Sequence, residues 1–151
     1  MPKLSSLAPL ACAALLALAP GLASAALDAA PSDVPTAKVQ RSAATTAAGV
    51  AYTDLTRTLQ SGTVVHEFVD AAGDVFAVTW SGPFKPNLKR LLGRHFDRLK
   101  DGGGTRGADR AHVEVKDADV VVQSGGHMGA FEGRAWIPTR LPAGFDTQEM
   151  K

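Results

Sequence analysis

Thr63-Val64-Val65-His66-Glu67-Phe68-Val69, Asp70-Ala71-Ala72-Gly73-Asp74 and Val75-Phe76-Ala77-Val78-Thr79-Trp80 form the stretch that decides the fold. Both outer runs are dense in β-branched and aromatic residues, and the Gly-containing loop between them has hairpin length, so an antiparallel hairpin is expected. The second run is apolar at nearly every position, which marks a central strand covered on both faces. Upstream, Gln60-Ser61-Gly62 supplies turn chemistry. Before it, residues 52–59 mix apolar and polar positions with several Thr.

Downstream, Ser81-Gly82-Pro83 ends the strand and Pro86 fits the first turn of a helix running from Asn87 to about Lys100. Leu88, Leu91, Leu92, Phe96 and Leu99 fall at helical spacing and make one apolar stripe, with Lys89, Arg90, Arg94 and Arg98 mostly off it. Gly93 costs roughly 1 kcal/mol relative to Ala inside such a helix and is expected to permit close approach to the strands beneath. Residues 101–107 form a glycine-rich exit. Its 102–107 portion spells G-x-G-x-x-G, but it follows a helix and opens a strand, the reverse of a dinucleotide fingerprint, so it is read as a linker. Residues 111–116 and 119–123 are two β-type runs, or one strand with a bulge at Asp117-Ala118. Ser124-Gly125-Gly126 is expected to turn, and residues 127–137 to form the last strand. The fold class is therefore α+β: a small antiparallel sheet of about five strands with one amphipathic helix packed on one face.

Residues 1–25 have the pattern of a secretory signal: Lys3, an apolar run over 10–19, a Pro20-Gly21 break and an Ala23-Ser24-Ala25 cleavage site before Ala26. The apolar run falls short of the roughly 20 residues that span a bilayer. Cys12 lies inside this segment, so the exported chain has neither a disulfide nor a thiolate. Residues 26–48, rich in Ala, Ser, Thr and Pro and without an aromatic, are expected to be a disordered leader. Residues 49–145 are the globular domain, and 146–151 a C-terminal tail. Export places the protein in the periplasm or outside the cell.

The chain carries 16 Lys plus Arg against 15 Asp plus Glu. That balance lacks the basic footprint of a nucleic-acid binder. The basic helix residues Lys89, Arg90, Arg94 and Arg98 offer a weak contact to an anionic surface, without membrane insertion after signal cleavage.

Ser61-Gly62-Thr63-Val64-Val65, residues 75–83, Leu91-Leu92-Gly93, Gly126-His127-Met128 and Phe131 with Gly133-Arg134-Ala135 and Pro138 carry a family resemblance. Together they resemble the exported bacterial proteins grouped as "domain of unknown function 2844", over residues 52–144. The resemblance implies a small envelope or secreted protein and carries no catalytic residue, substrate or cofactor with it.

The chemistry-bearing residues are four histidines, His66, His95, His112 and His127. His112 and Glu114 share a strand face two residues apart and could give two metal ligands, with a third from His66 or His127 on another strand. That is the weaker alternative, since no HExxH-type spacing accompanies it. His127, after two glycines, is read either as a general base or, by preference, as a turn residue whose ring nitrogen bonds nearby backbone. No G-x-S-x-G elbow surrounds Ser81 or Ser124. Binding residues are expected at the strand ends: Trp80, Gly82 and Pro83 on one side, His127, Met128 and Arg134 on the other. The sequence thus favours a non-enzymatic binding or accessory module without a cofactor, acting on an envelope or secreted protein partner. The competing readings are a small metal-dependent hydrolase and a structural envelope protein.

Overall fold

The computed structural model describes residues 27–102 and 112–150. The expected signal segment and most of the 102–107 glycine run lie outside them. Among the described residues, seven strands form one antiparallel sheet: β1 Thr36–Thr45, β2 Ala51–Leu59, β3 Val64–Val69, β4 Val75–Gly82, β5 Val113–Lys116, β6 Val121–His127 and β7 Ala130–Trp136. Their order is β1-β2-β3-β4-β7-β6-β5. The helical segment is α1 Leu88–Leu92, a 3-10 turn Gly93–His95 and α2 Phe96–Gly102.

The hairpin that set the fold class is β3 and β4, and β4 occupies the middle of the sheet. Val75, Phe76, Ala77, Val78, Thr79 and Trp80 are all buried, as a strand covered on both faces requires. The register slips between Phe68↔Ala77 and Val69↔Val75, leaving Phe76 as the extra residue of a bulge. Phe76 and Ala77 consequently face one side together, while Val78 and Trp80 face the other.

One side of the sheet is closed by the helical segment. Leu88, Leu91, Leu92, Phe96 and Leu99 all join the cluster containing Val65, Val78, Trp80, Val122 and Ala135. Fully burying leucines such as Leu91 and Leu92 stabilises the fold by about 1.5–3 kcal/mol each. Asn87 caps α1, its side-chain oxygen accepting from the Arg90 amide at 3.1 Å. The helix is not continuous, which corrects the expectation at Gly93. That residue has φ 53° and separates the segment into two pieces, a backbone conformation that the missing Cβ permits.

The other side is closed at one end by the C-terminal segment. Phe145 sits edge-on to Phe76 at 4.9 Å and to Tyr52 at 5.4 Å, with Phe68 at 5.5 Å. Met150 is buried in the same cluster, so the segment through residue 150, read as a tail, packs on the sheet. We refer to this side as the helix-free face.

The strand count corrects the expected five. Part of the difference is β1, a ten-residue strand inside the segment read as a disordered leader, paired with β2 from Thr36↔Leu59 to Thr45↔Ala51. Residues 27–35 are also tied down. The Leu27 amide donates to the Leu91 carbonyl at 3.0 Å, and Val75 exchanges backbone bonds with Asp28 and Ala29 at 2.7 and 2.8 Å. Composition missed this because the segment contributes backbone hydrogen bonds and only a few apolar side chains, Leu27 and Val34 among them. The rest of the difference lies in residues 111–123, where two paired strands, β5 and β6, stand in place of the single bulged strand that the sequence left open. A separate difference lies at the end of β6. The Ser124-Gly125-Gly126 stretch continues the strand to His127, and the turn falls at Met128-Gly129, where Gly129 takes φ 90°.

Glu67 is fully buried on the helix side of β3, accepting from the Ser32 amide at 2.7 Å and from Arg57 Nε at 2.8 Å. Its carboxylate therefore ties the N-terminal segment, β2 and β3 together. Removing one partner leaves a buried charge without compensation. Arg57→Ala is expected to lower unfolding stability in urea by about 3–5 kcal/mol. The double change Arg57→Met, Glu67→Leu should recover all but the roughly 1–3 kcal/mol of an orphaned Ser32 amide. A cost for Arg57→Ala below about 1 kcal/mol, as for an exposed pair, would contradict this role.

Candidate functional site

Strand register brings polar side chains into line across the helix-free face. The cross-strand pairs Thr56↔His66, His66↔Thr79, Thr79↔Arg134, Arg134↔Gln123 and Gln123↔Glu114 place one residue from each of β2, β3, β4, β7, β6 and β5 in a single row. Much of this row is committed internally. Arg134 Nε donates to Gln123 Oε1 at 2.6 Å, and Gln123 Nε2 donates to Glu114 Oε1 at 2.7 Å. Arg134 Nη1 also donates to the Thr147 carbonyl at 3.0 Å, anchoring the C-terminal segment. The bonds from Gln123 and Lys116 favour the charged form of Glu114 and hold its carboxyl below the usual range. At the other end of the row, His66 Nδ1 lies 3.0 Å from the Asp54 carboxylate.

The adjoining row differs. Ser81 pairs with Glu132 across β4 and β7, and Glu132 with Gly125 across β7 and β6. His112, just before β5, lays its ring over Gly125, where a Cβ would stand 2.6 Å from His112 Cδ2. The side chains of Ser81, Glu132 and His112 are exposed and make no hydrogen bond or ion pair with another described residue. They line both of two adjacent concavities, of about 710 and 530 Å³, which join them into one trough. The larger runs toward Arg134 and Met150, the smaller toward Gly82, Pro83 and His127. Beneath the trough, on the helix side of the sheet, Gly133 makes room for Trp80, since a Cβ there would lie 2.2 Å from the indole ring.

The expected binding residues divide between these features. Gly82, Pro83 and His127 meet along the smaller concavity, while Arg134 lines the larger one. Met128 stands at the β6–β7 turn, 90% exposed. Trp80 is core, 1% exposed on the helix side. His127 Nδ1 lies 3.1 Å from the Met128 carbonyl, the turn contact that the structural reading expects. His112, Glu114 and His127 are not brought together as ligands: among the described residues, no group of three or more His, Cys, Asp or Glu is placed to hold a metal ion.

Glu132, Ser81 and Gln123 were missed as candidates. The alternation in Glu132-Gly133-Arg134-Ala135-Trp136 contains the signal that Glu132 and Arg134 share a face. Knowing what that face adjoins requires the strand order.

The basic helix residues are largely spoken for by neighbouring carboxylates. Arg90 reaches Asp33 at 3.7 Å, Arg94 pairs with Asp28, and Arg98 lies 2.8 Å from Asp117. Arg140 binds Asp28, Asp70 and Asp74 at 2.6, 2.8 and 3.0 Å, joining the N-terminal segment to the β3–β4 loop. The hydrogen bond to Asp74 first, and then the charge and hydrogen bond of Asp70, favour its cationic form and raise its pKa against the effect of burial. Beside this network His95 is buried, with Arg94 Nε donating to its Nε2 at 3.4 Å. Burial, then the charges of Arg94 and Arg98, hold its pKa below 6.5 against the opposing pull of Asp119.

Residues 23–150 match the family described as "Protein of unknown function (DUF2844)". No curated protein and no solved structure matches the chain.

The buried imidazole gives a pH test. Because the folded state depresses the pKa of His95, the unfolded chain takes up the proton first as pH falls. Its contribution to stability is fully present above 6.5 and declines as pH drops through the lowered folded value. Urea midpoints measured between about pH 7 and 5 should therefore fall toward acid. His95→Gln should flatten that slope, and an unchanged slope would refute the assignment.

Proposed function

The chain belongs to the DUF2844 family, and on that premise we propose that it is an exported, non-enzymatic binding or accessory module of the bacterial envelope whose working surface is the helix-free face. The observation that carries this reading is the trough along β4, β7 and β6, where Ser81, Glu132 and His112 face solvent without an internal partner among the described residues. The opposite side of the sheet is occupied by the helical segment.

Binding is favoured over covalent catalysis by the state of the side chains. Ser81 and His112 stand on either side of Glu132, and among the described residues the Ser81 hydroxyl is hydrogen-bonded to neither, so no nucleophile–base pair is assembled. Arg134, Gln123 and Glu114 hold one another, an arrangement suited to a rigid recognition surface. Export is supported by the pattern of residues 1–25. No helix of the described residues is long and apolar enough to cross a membrane.

Two measurements check the proposal. Protein recovered from the periplasm or medium should begin at Ala26 on N-terminal sequencing, whereas uncleaved chain confined to the cytosol would remove the export claim. A photo-cross-linking side chain at Ser81 should capture a ligand in the envelope fraction, and the same group at Lys89 should not. Equal capture at both positions would contradict the assignment to the helix-free face.

A further inference from the structure

We propose that the trough on the helix-free face is a saccharide site, taking a short neutral oligosaccharide laid along β7. The inference rests on that face being the binding face and adds the class of ligand. Length comes first: the trough follows β7 from Arg134 to Ala130, four strand steps or roughly 13 Å. An extended chain fits this better than a compact small molecule.

Charge comes second. Arg134 is engaged with Gln123 and the Thr147 carbonyl, and Lys116 lies 3.0 Å from Glu114. Among the residues lining the trough, the exposed, unpartnered charge is the Glu132 carboxylate, which disfavours a phosphate or other anion. A peptide strand fares poorly for another reason. It gains affinity by pairing with a sheet edge, whereas here the ladders of β4, β7 and β6 already use their backbone groups.

The open groups suit hydroxyls. Glu132 accepts from paired O–H donors, Ser81 can donate or accept, and the His112 ring supplies both a polar nitrogen and a flat apolar face. That ring lies over Gly125 because no side chain intervenes. A sugar presents the complementary alternation: hydroxyls around its rim and C–H groups on its face.

The test is an amide-resolved NMR titration of the purified protein with cellotetraose, chitotetraose and maltotetraose, with inorganic phosphate and tetralysine as competing chemistries. At least one tetrasaccharide should give saturable shifts at Ser81, Gly125 and Glu132. Glu132→Gln should weaken that binding about tenfold, the loss of a charged hydrogen-bond acceptor, without changing the thermal midpoint. Gly125→Ala, whose Cβ would meet the His112 ring, should weaken it as well, and His112→Ala provides the same test without crowding β6. Absence of tetrasaccharide shifts overturns the ligand class. Shifts by tetralysine or phosphate alone at the same amides overturn it while leaving the face assignment standing, and saccharide shifts confined to the helix side overturn both.

Discussion

Six consecutive residues of β4, from Val75 through Trp80, are withdrawn from water, and the remaining elements are arranged by the need to cover them. A strand buried on both faces cannot lie at a sheet edge, so β3 flanks it on one side and β7 on the other. The Phe76 bulge turns two successive side chains toward the same side and gives each face its own cluster. The paired helical pieces cover one face with a leucine stripe. The C-terminal segment covers part of the other with Phe145, Leu141 and Met150.

That second cover is incomplete, and the trough is the consequence. The aromatic cluster protects the region around Phe68 and Phe76, while the portion of the face toward β7, β6 and β5 carries polar side chains. Polar groups on an exposed sheet face need no explanation by themselves. What distinguishes these is their division into a row that satisfies itself, Arg134 to Gln123 to Glu114, and a neighbouring row exposed to solvent, Ser81, Glu132 and His112. Glycines at 125 and 133 contribute by what they leave out, admitting an imidazole above the sheet and an indole below it.

The described segments at either end, residues 27–35 and 141–150, are structural for a related reason. Arg140 gathers three carboxylates from the N-terminal segment and the β3–β4 loop, and Glu67 receives the Ser32 amide. Both interactions join segments far apart in the chain through groups that composition counts as polar and exposed. A disordered leader is the natural reading of a stretch with few apolar residues. It fails where backbone bonds and buried carboxylates hold the stretch instead, although β1 itself remains largely exposed beside β2.

What the sequence by itself determined was the local and periodic part: the β3–β4 hairpin, the centrality of β4, the leucine stripe from Leu88 to Leu99, the α+β class and the family resemblance. These follow from alternation and helical spacing, which act between residues near one another in the chain. The seven-strand order, the docking of residues 27–35 and 141–150 and the shared row of Ser81, Glu132 and His112 were decided in three dimensions. The physical reason is that antiparallel register fixes which distant side chains become neighbours. That register is selected by burying β4 as a whole, a condition no single segment of the sequence contains.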